Sequence, residues 1–211
     1  MNNLRYYLFG KLSLEYSMAE KIRYGIIGFG AFAERAIAPA IRASSNSELV
    51  AIQKRSLTAA KEKAQLFRIP HAFDSAETLV NHQDVDAVFI VSANSQHAPS
   101  TITAARSGKH VLVEKPMAMN TLEAQQMIEV CCSKNVKLMV GHMVRLSPLI
   151  IRMKELMCSG IIGTVEFVKA EYMYDARLSP RRWMWDKKIA GGGGSVRYRR
   201  SLFRYYPLCI G

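Results

Sequence analysis

No run of apolar residues in this 211-residue chain is long enough to cross the hydrocarbon core of a bilayer, so no membrane anchor is expected. Cysteine is sparse. Cys131, Cys132, Cys158 and Cys209 include no Cys-x-x-Cys pair, which argues against a zinc ribbon or a secreted disulfide framework. Buried thiols in a reducing compartment are expected instead, with a cytoplasmic location and no metal site. The first 17 residues lack both a continuous apolar core and a small-residue cleavage site, which speaks against a secretory leader, and Met18 offers an alternative start. Acid is scarce as well: 29 Lys and Arg face 17 Asp and Glu, for a formal charge of +12. The excess does not form a Lys/Arg block. Arg197, Arg199, Arg200 and Arg204 place four charges in the last 17 residues, and the remaining +8 is spread along the chain. A nucleic-acid partner is not expected from that distribution. There is no internal repeat.

Against these absences stands Tyr24–Ala33, an apolar run that ends in Gly28-Phe29-Gly30-Ala31-Phe32-Ala33. A strand, a glycine turn and a helix in that order form the first unit of a dinucleotide-binding fold. Gly28 allows the tight turn, Gly30 lets the backbone approach a pyrophosphate, and Ala33 lets the helix pack close to the strand. Strands and helices alternate from there. Strands are expected at Ile22–Ile27, Glu48–Gln53, Ile69–Phe73, Asp86–Val91, His110–Val113 and Val136–Val140. Helices are expected at Ala31–Ala43 (with Pro39 as a kink or late break), Leu57–Phe67, Ser75–Val80, Gln96–Ser107, from Asn120 onward, and Leu149–Cys158. This order specifies a doubly wound parallel α/β (Rossmann) sheet. After Gly160 the texture changes, and Thr164–Asp175 reads as a long strand opening a second sheet. The expected division is an N-terminal extension over 1–19, a dinucleotide-binding domain over 20–142, the start of an α+β substrate domain over 143–194, and a separate tail over 195–211.

Three strand ends carry candidate chemistry. The second ends in Gln53-Lys54-Arg55-Ser56, without the acid that usually binds the adenosine ribose of NAD. Arg55 and Ser56 can hold a 2′-phosphate instead, which favours NADP, with NAD as the alternative. The fourth strand runs into Ser92-Ala93-Asn94-Ser95-Gln96-His97. Asn94 and His97 are placed to meet a cofactor there, while Asn94 or Ser95 can equally cap the helix. The fifth ends in Glu114-Lys115-Pro116. A partly desolvated Lys115 can give or take a proton, the Lys–Pro bond can be cis, and a surface lysine paired with Glu114 is the other reading.

Together these motifs resemble the Gfo/Idh/MocA family, which includes glucose–fructose oxidoreductase and inositol dehydrogenase. The likeness rests on the glycine turn, Asn94-Ser-Gln-His97, Gly108-Lys-His-Val-Leu-Val-Glu114-Lys115-Pro116, Arg145-Leu-Ser-Pro148 and Ala190-Gly-Gly-Gly-Gly194. It implies an NAD(P)-binding domain, an open-faced substrate sheet, hydride transfer to or from a sugar- or cyclitol-like carbinol, and homo-oligomeric full-length relatives. Lys115 would be the catalytic lysine. Ser92, Asn94, His97 and Glu114 would lie near the nicotinamide and its ribose, and His142, Arg145 and Trp183 would face the substrate.

The resemblance stops after the glycine run. There the family reads Asp-Ile-Gly-x-His-x-x-Asp, whereas this chain has no His, Asp or Glu beyond Asp186. One synonymous choice of codons for residues 195–210, read one base on, gives ACDIGVHCFDTIRYVL, which restores that pattern in its expected place. A frameshift near Gly191–Gly194 is therefore expected, in the gene or in its sequencing, with the basic tail as out-of-frame residues. Resequencing codons 185–211 is expected to reveal the shifted continuation, and its absence from either neighbouring frame would refute the frameshift.

Overall fold

The computed structural model describes residues 21–169, 171 and 182–191. The expected extension over 1–19, the tail over 195–211 and the Gly192–Gly194 part of the glycine run lie outside them. The core is a six-stranded sheet, β1 (Ile22–Ile27), β2 (Ser47–Gln53), β3 (His71–Phe73), β4 (Ala87–Ile90), β5 (His110–Val113) and β6 (Leu138–Val140). All neighbours pair in parallel, in the order β3-β2-β1-β4-β5-β6. The strands are apolar on both faces because both faces are covered by helices. On one side Ile26, Leu49, Ile52 and Phe89 pack with residues of α1 (Ala38–Ala43) and α2 (Leu57–Leu66). On the other, Ile27, Val50, Val88, Ile90 and Val113 pack against α3 (Ala76–Val80), α4 (His97–Arg106) and α5 (Thr121–Ser133). Tyr24 faces Leu49 and Gly25 faces Ala51, so Val50 is the extra residue of a bulge. A side chain at Gly25 would have its Cβ 2.6 Å from Leu79 Cδ2, so glycine there lets α3 press against β1.

Most expected elements form within a residue or two. Pro39 does not break its helix. Backbone helix runs from Ala31 to Ala43, and the turn before the proline, Ala33–Ile37, widens to π geometry. A proline ring crowds the carbonyl four residues back and brings no N–H, and a wider turn accommodates both effects. Ser75 caps α3 by accepting from Glu77 N–H at 3.1 Å. Asn120 caps α5 by accepting from Glu123 N–H at 2.9 Å, and Glu123 returns to Asn120 Nδ2 and Met119 N–H. Neither Asn94 nor Ser95 caps α4; a single tight turn, Asn94–Gln96, leads into it. Beyond β6 lie the turn Met143–Leu146, α6 (Pro148–Cys158), the turn Arg182–Trp185 and α7 (Lys187–Ala190).

Two expectations need correction. Thr164–Lys169 is not a strand: it lies outside any sheet, with Phe167 80% exposed. A strand without a neighbour leaves its backbone groups unpaired, and no neighbouring strand exists for it among the described residues. Residues 170 and 172–175 of that expected strand are outside the described set. Of the three described cysteines only Cys131 is buried, where burial pushes its thiol pKa up, while Cys132 and Cys158 are exposed. Among the described residues no helix is long and apolar enough to cross a membrane.

At the amino ends of β1 and β4 one ion pair fixes the register. Arg23 donates from Nε and Nη2 to the two oxygens of Asp86 at 3.0 and 2.8 Å, and its own N–H donates to Oδ2 at 2.9 Å. These bonds from Arg23 hold the Asp86 carboxyl below its ordinary pKa, against an opposing desolvation. Because the folded value is depressed, the stabilisation is complete above about pH 4 and disappears as pH falls through the folded value. Asp86→Asn is expected to cost about 1 kcal/mol or less at neutral pH, since water screens this partly exposed pair. In thermal unfolding followed from pH 7 to 3, the wild type should lose more stability than Asp86→Asn, and parallel curves would refute the coupling.

Candidate cofactor site

The sheet order reverses between β1 and β4, which opens a crevice at the carboxyl ends of these strands, where ligands bind in open α/β sheets. Gly28 follows β1 directly with φ +87°, and a Cβ on it would lie 2.7 Å from both the N and Cα of Ser92. Glycine is thus required both by the backbone conformation and by the close approach of the β4 end. Gln53, the last residue of β2, clasps the turn. Its carbonyl accepts Phe29 N–H at 2.9 Å, its Oε1 accepts Gly28 N–H at 3.1 Å, and its Nε2 donates to Asp74 O at 2.9 Å. Lys54 Nζ closes the far side by donating to Phe29 O at 2.8 Å.

These contacts separate the residues of the turn by task. Phe29 does not line the crevice: its N–H and carbonyl are engaged as above, and its buried ring stands edge-on to Phe67 at 5.4 Å. Ala33 is fully buried where the helix meets the sheet, and half-buried Phe32 packs beside it. Gly30 and Ala31 form the exposed rim. A Cβ on Gly30 would meet only Gly28 O, at 3.9 Å, so the space above it is open. The helix begins immediately behind, and the N–H groups of a first helical turn project along the axis toward such a space.

At the end of β2, Arg55 is exposed, and Ser56 caps α2 by accepting from Ala59 N–H at 3.4 Å. Its hydroxyl hydrogen remains to donate outward. At the end of β4, Ser92 Oγ is buried without a hydrogen-bond partner among the described residues. Asn94 and His97 are both buried. Asn94 Nδ2 donates to Ala190 O at 2.8 Å, which ties α7 to the β4 loop. His97 has Pro116 O at 2.7 Å from Nδ1 and Ser92 O at 3.1 Å from Nε2. Both ring nitrogens of His97 thus meet backbone carbonyls, and the side chain bridges the loops after β4 and β5.

The β5 end presents Glu114-Lys115-Pro116. Glu114 is buried, and its Oε2 accepts Lys115 N–H at 3.1 Å. Its Oε1 lies 3.0 Å from where a Cβ on Gly141 would be, so the glycine after β6 leaves room for the carboxylate. Lys115 is half-buried, and its bond to Pro116 is cis. His142 is half-buried just after β6, with its N–H donating to Val140 O at 2.7 Å. Arg145 is exposed in the next turn and Trp183 half-buried in the turn before α7. The structure thus gathers Gly28, Gly30, Ser92, Glu114, Lys115 and His142 at neighbouring strand ends. Arg145 reaches them only through its backbone, whose N–H donates to His142 O at 3.0 Å; among the described residues no side-chain hydrogen bond or ion pair of Arg145 is found there. Sequence reading missed the Gln53 clasp and the role of Gly141; a glutamine in place of the usual acid was the available signal for the first.

A glycine turn at the switch point of such a sheet, with a buried Glu and a half-buried Lys one strand away, defines a dinucleotide-binding domain of the oxidoreductase class. The chain belongs to the Gfo/Idh/MocA family: the family model, described as an oxidoreductase family with an NAD-binding Rossmann fold, matches residues 22–142. It is 34% identical over 173 residues to trans-1,2-dihydrobenzene-1,2-diol dehydrogenase of Mus musculus, covering 82% of this chain and 51% of that one. Among solved structures it resembles aldose-aldose oxidoreductase from Caulobacter crescentus, complexed with glycerol, at TM-score 0.75 and 30% identity, over 88% of this chain and 57% of the other. It also resembles a 3-ketoreductase from Actinomadura kijaniata in complex with TDP-benzene and NADP, at TM-score 0.63 and 30% identity, over 67% and 45% of the two chains. The chain spans about half the length of the curated relatives it matches.

Gly28→Ala is expected to cost about 2 kcal/mol or more, since it combines a positive-φ penalty with a backbone clash. Gly30→Asp should stay within about 0.5 kcal/mol of wild type, because its side chain enters open space. Thermal unfolding of both variants tests this. Equal losses would contradict the division between a structural and an open glycine.

Proposed function

We propose that the crevice at the β1/β4 switch point binds a nicotinamide dinucleotide, NADP in preference to NAD. We further propose that its relatives' chemistry, hydride exchange with a sugar- or cyclitol-like hydroxyl or carbonyl, is the reaction for which the site is laid out. The observation that carries the binding reading is the open space above Gly30 beside a helix N-terminus, which suits a pyrophosphate. The residues at hand fit such a group. Gly30 and Ala31 would hold its phosphates, and Arg55 with the Ser56 hydroxyl would hold a 2′-phosphate at the start of α2. Relatives support the substrate class through an aldose enzyme and a diol dehydrogenase, and the NADP reading through the 3-ketoreductase complex.

When bound, the nicotinamide supplies or accepts the hydride. Lys115 would hold or accept the hydroxyl proton of the substrate at Nζ, as the family's lysine does. Glu114 orients that lysine by accepting its backbone N–H. His97 supports the same segment through Pro116 O. His142, Arg145 and Trp183 are the proposed substrate contacts. Small-molecule binding, without nucleic acid or membrane, in the cytoplasm and in a homo-oligomer of full-length chains, completes the reading.

A second reading has its own observation. Residues 195–211 hold no Asp, Glu or His, so the acid and histidine that partner the family's lysine are missing from this sequence. On that reading the chain binds cofactor and turns over little. One set of measurements tests both readings. NADPH fluorescence titration should show saturable binding that Arg55→Ala weakens about tenfold or more, with NADH affinity little changed, because a charge-assisted contact is lost. Gly30→Asp should abolish binding of both cofactors. Titrations unaffected by Gly30→Asp would overturn the site. Rapid NADP turnover against a panel of sugars would overturn the second reading, and binding without turnover would support it.

A further inference from the structure

Away from the cofactor crevice, at the amino-terminal ends of β3 and β4, three side chains converge that the proposed function does not use. His71 opens β3, and His82 and Asp84 lie on the turn that leads from α3 to β4. His71 Nε2 is 3.0 Å from Asp84 Oδ2, and His82 Nδ1 is 3.8 Å from the same oxygen. The three donor atoms all lie within 4.8 Å of one another. We propose that His71, His82 and Asp84 form a binding site for a borderline divalent transition metal such as zinc.

The donor set is two imidazole nitrogens and one carboxylate oxygen, which suits zinc, cobalt and nickel better than magnesium or calcium. The spacings of 3.0 and 3.8 Å bracket what two ligands need when each sits about 2.0–2.2 Å from one ion. All three side chains are partly exposed, between 27% and 39%, so water can fill the open coordination positions.

The surroundings prepare the cluster for a ligand role. Asp84 is turned by its other oxygen: Arg23 Nη1 donates to Oδ1 at 3.3 Å, leaving Oδ2 toward the two histidines. A carboxylate ligand held by a second group in this way is the usual outer-shell arrangement of metal sites. His82 Nδ1 accepts Asp84 N–H at 3.3 Å, a long bond that an ion must displace to take the same lone pair. Phe73 lies 5.5 Å from the His82 ring, and the His71 ring lies 4.1 Å from it at a tilt of 42°, so the two imidazoles pack against each other. The turn that carries His82 and Asp84 is itself pinned. Lys109 Nζ donates to His82 O and Val85 O at 3.2 and 2.6 Å, and Arg23 Nη2 donates to Gln83 O at 3.2 Å. An ion here would join the edge strand β3 to the crossover before β4.

The test is cobalt and zinc titration of the full chain without an affinity tag. One equivalent of cobalt should bind saturably, and sub-stoichiometric cobalt should broaden the ring signals of His71 and His82 in the wild type while sparing His97 and His110. Zinc should raise the unfolding temperature. His71→Asn, His82→Asn and Asp84→Asn, each checked for folding by circular dichroism, should weaken the affinity by about 10- to 100-fold. Cys132→Ser and Cys158→Ser should leave it unchanged. The site is refuted by an absence of saturable binding, by binding that survives loss of either histidine, or by a thiolate charge-transfer band that disappears with Cys132→Ser. The wild-type histidine signals decide the matter even where a variant fails to fold.

Discussion

The arrangement depends on one close approach, that of Gly28 to the backbone of Ser92. At 2.7 Å from a would-be Cβ there is no room for any side chain, so the ends of β1 and β4 can meet only through glycine. That meeting sets the floor of the crevice. Because β1 and β4 are the strands where the winding reverses, the loops above them diverge, and the exposed rim at Gly30 is left facing the gap. Gln53 and Lys54 then hold the turn from the β2 side through four hydrogen bonds made by their backbone and side-chain groups to Gly28, Phe29 and Asp74. The turn is therefore shaped by the protein itself before any ligand arrives, so less ordering is left for binding to impose.

The same clasp bears on cofactor choice. The usual acid at the end of the second strand would present a carboxylate to the ribose. Here that position is a glutamine whose amide oxygen is already turned inward to Gly28 and whose nitrogen reaches Asp74. It brings no negative charge to repel a phosphate. Lys54 is also turned inward, which leaves Arg55 as the exposed cation at the strand end. The absence of an acid thus has two consequences, a neutral clasp for the glycine turn and an unopposed arginine beside the start of α2.

Much of this was legible from residue order. The continuous apolar strands and the caps at Ser75 and Asn120 are local signals, and local physics was enough to place them. The roles of Asn94 and His97 were not legible, although both stand where a cofactor contact was expected. Their side chains face groups 96 and 19 residues away, Ala190 O and Pro116 O, and no sequence pattern reports such partners. Phe29 misleads for a related reason. Its position in the glycine motif marks it for the ligand, while its neighbour across the fold, Phe67, draws the ring into the core. The metal-binding cluster was invisible because His71, His82 and Asp84 follow no established ligand spacing; the parallel pairing of β3 and the return of α3 bring them together. Thr164–Lys169 failed in the opposite direction, since alternation supplies a strand's pattern but not the neighbour that makes it a strand.

The segment that leads into the glycine run shows how far the cofactor domain organises the chain beyond it. Asn94 is buried and spends its amide on the last carbonyl of α7. The next residue, Gly191, adopts φ +76°, and a Cβ there would fall 2.9 Å from Met119 Sδ. A four-residue helix cannot hold itself in water, because too few bonds offset the cost of nucleating it. Its position must come from these contacts with the loops after β4 and β5. Those are the loops that His97 bridges and that carry Ser92 and Lys115. The first glycine of the run is thus registered against the crevice by the Rossmann half of the chain, through a buried amide and a glycine that no other residue can replace without moving Met119. The point from which the chain continues past Gly191 is therefore set by the loops that follow β4 and β5.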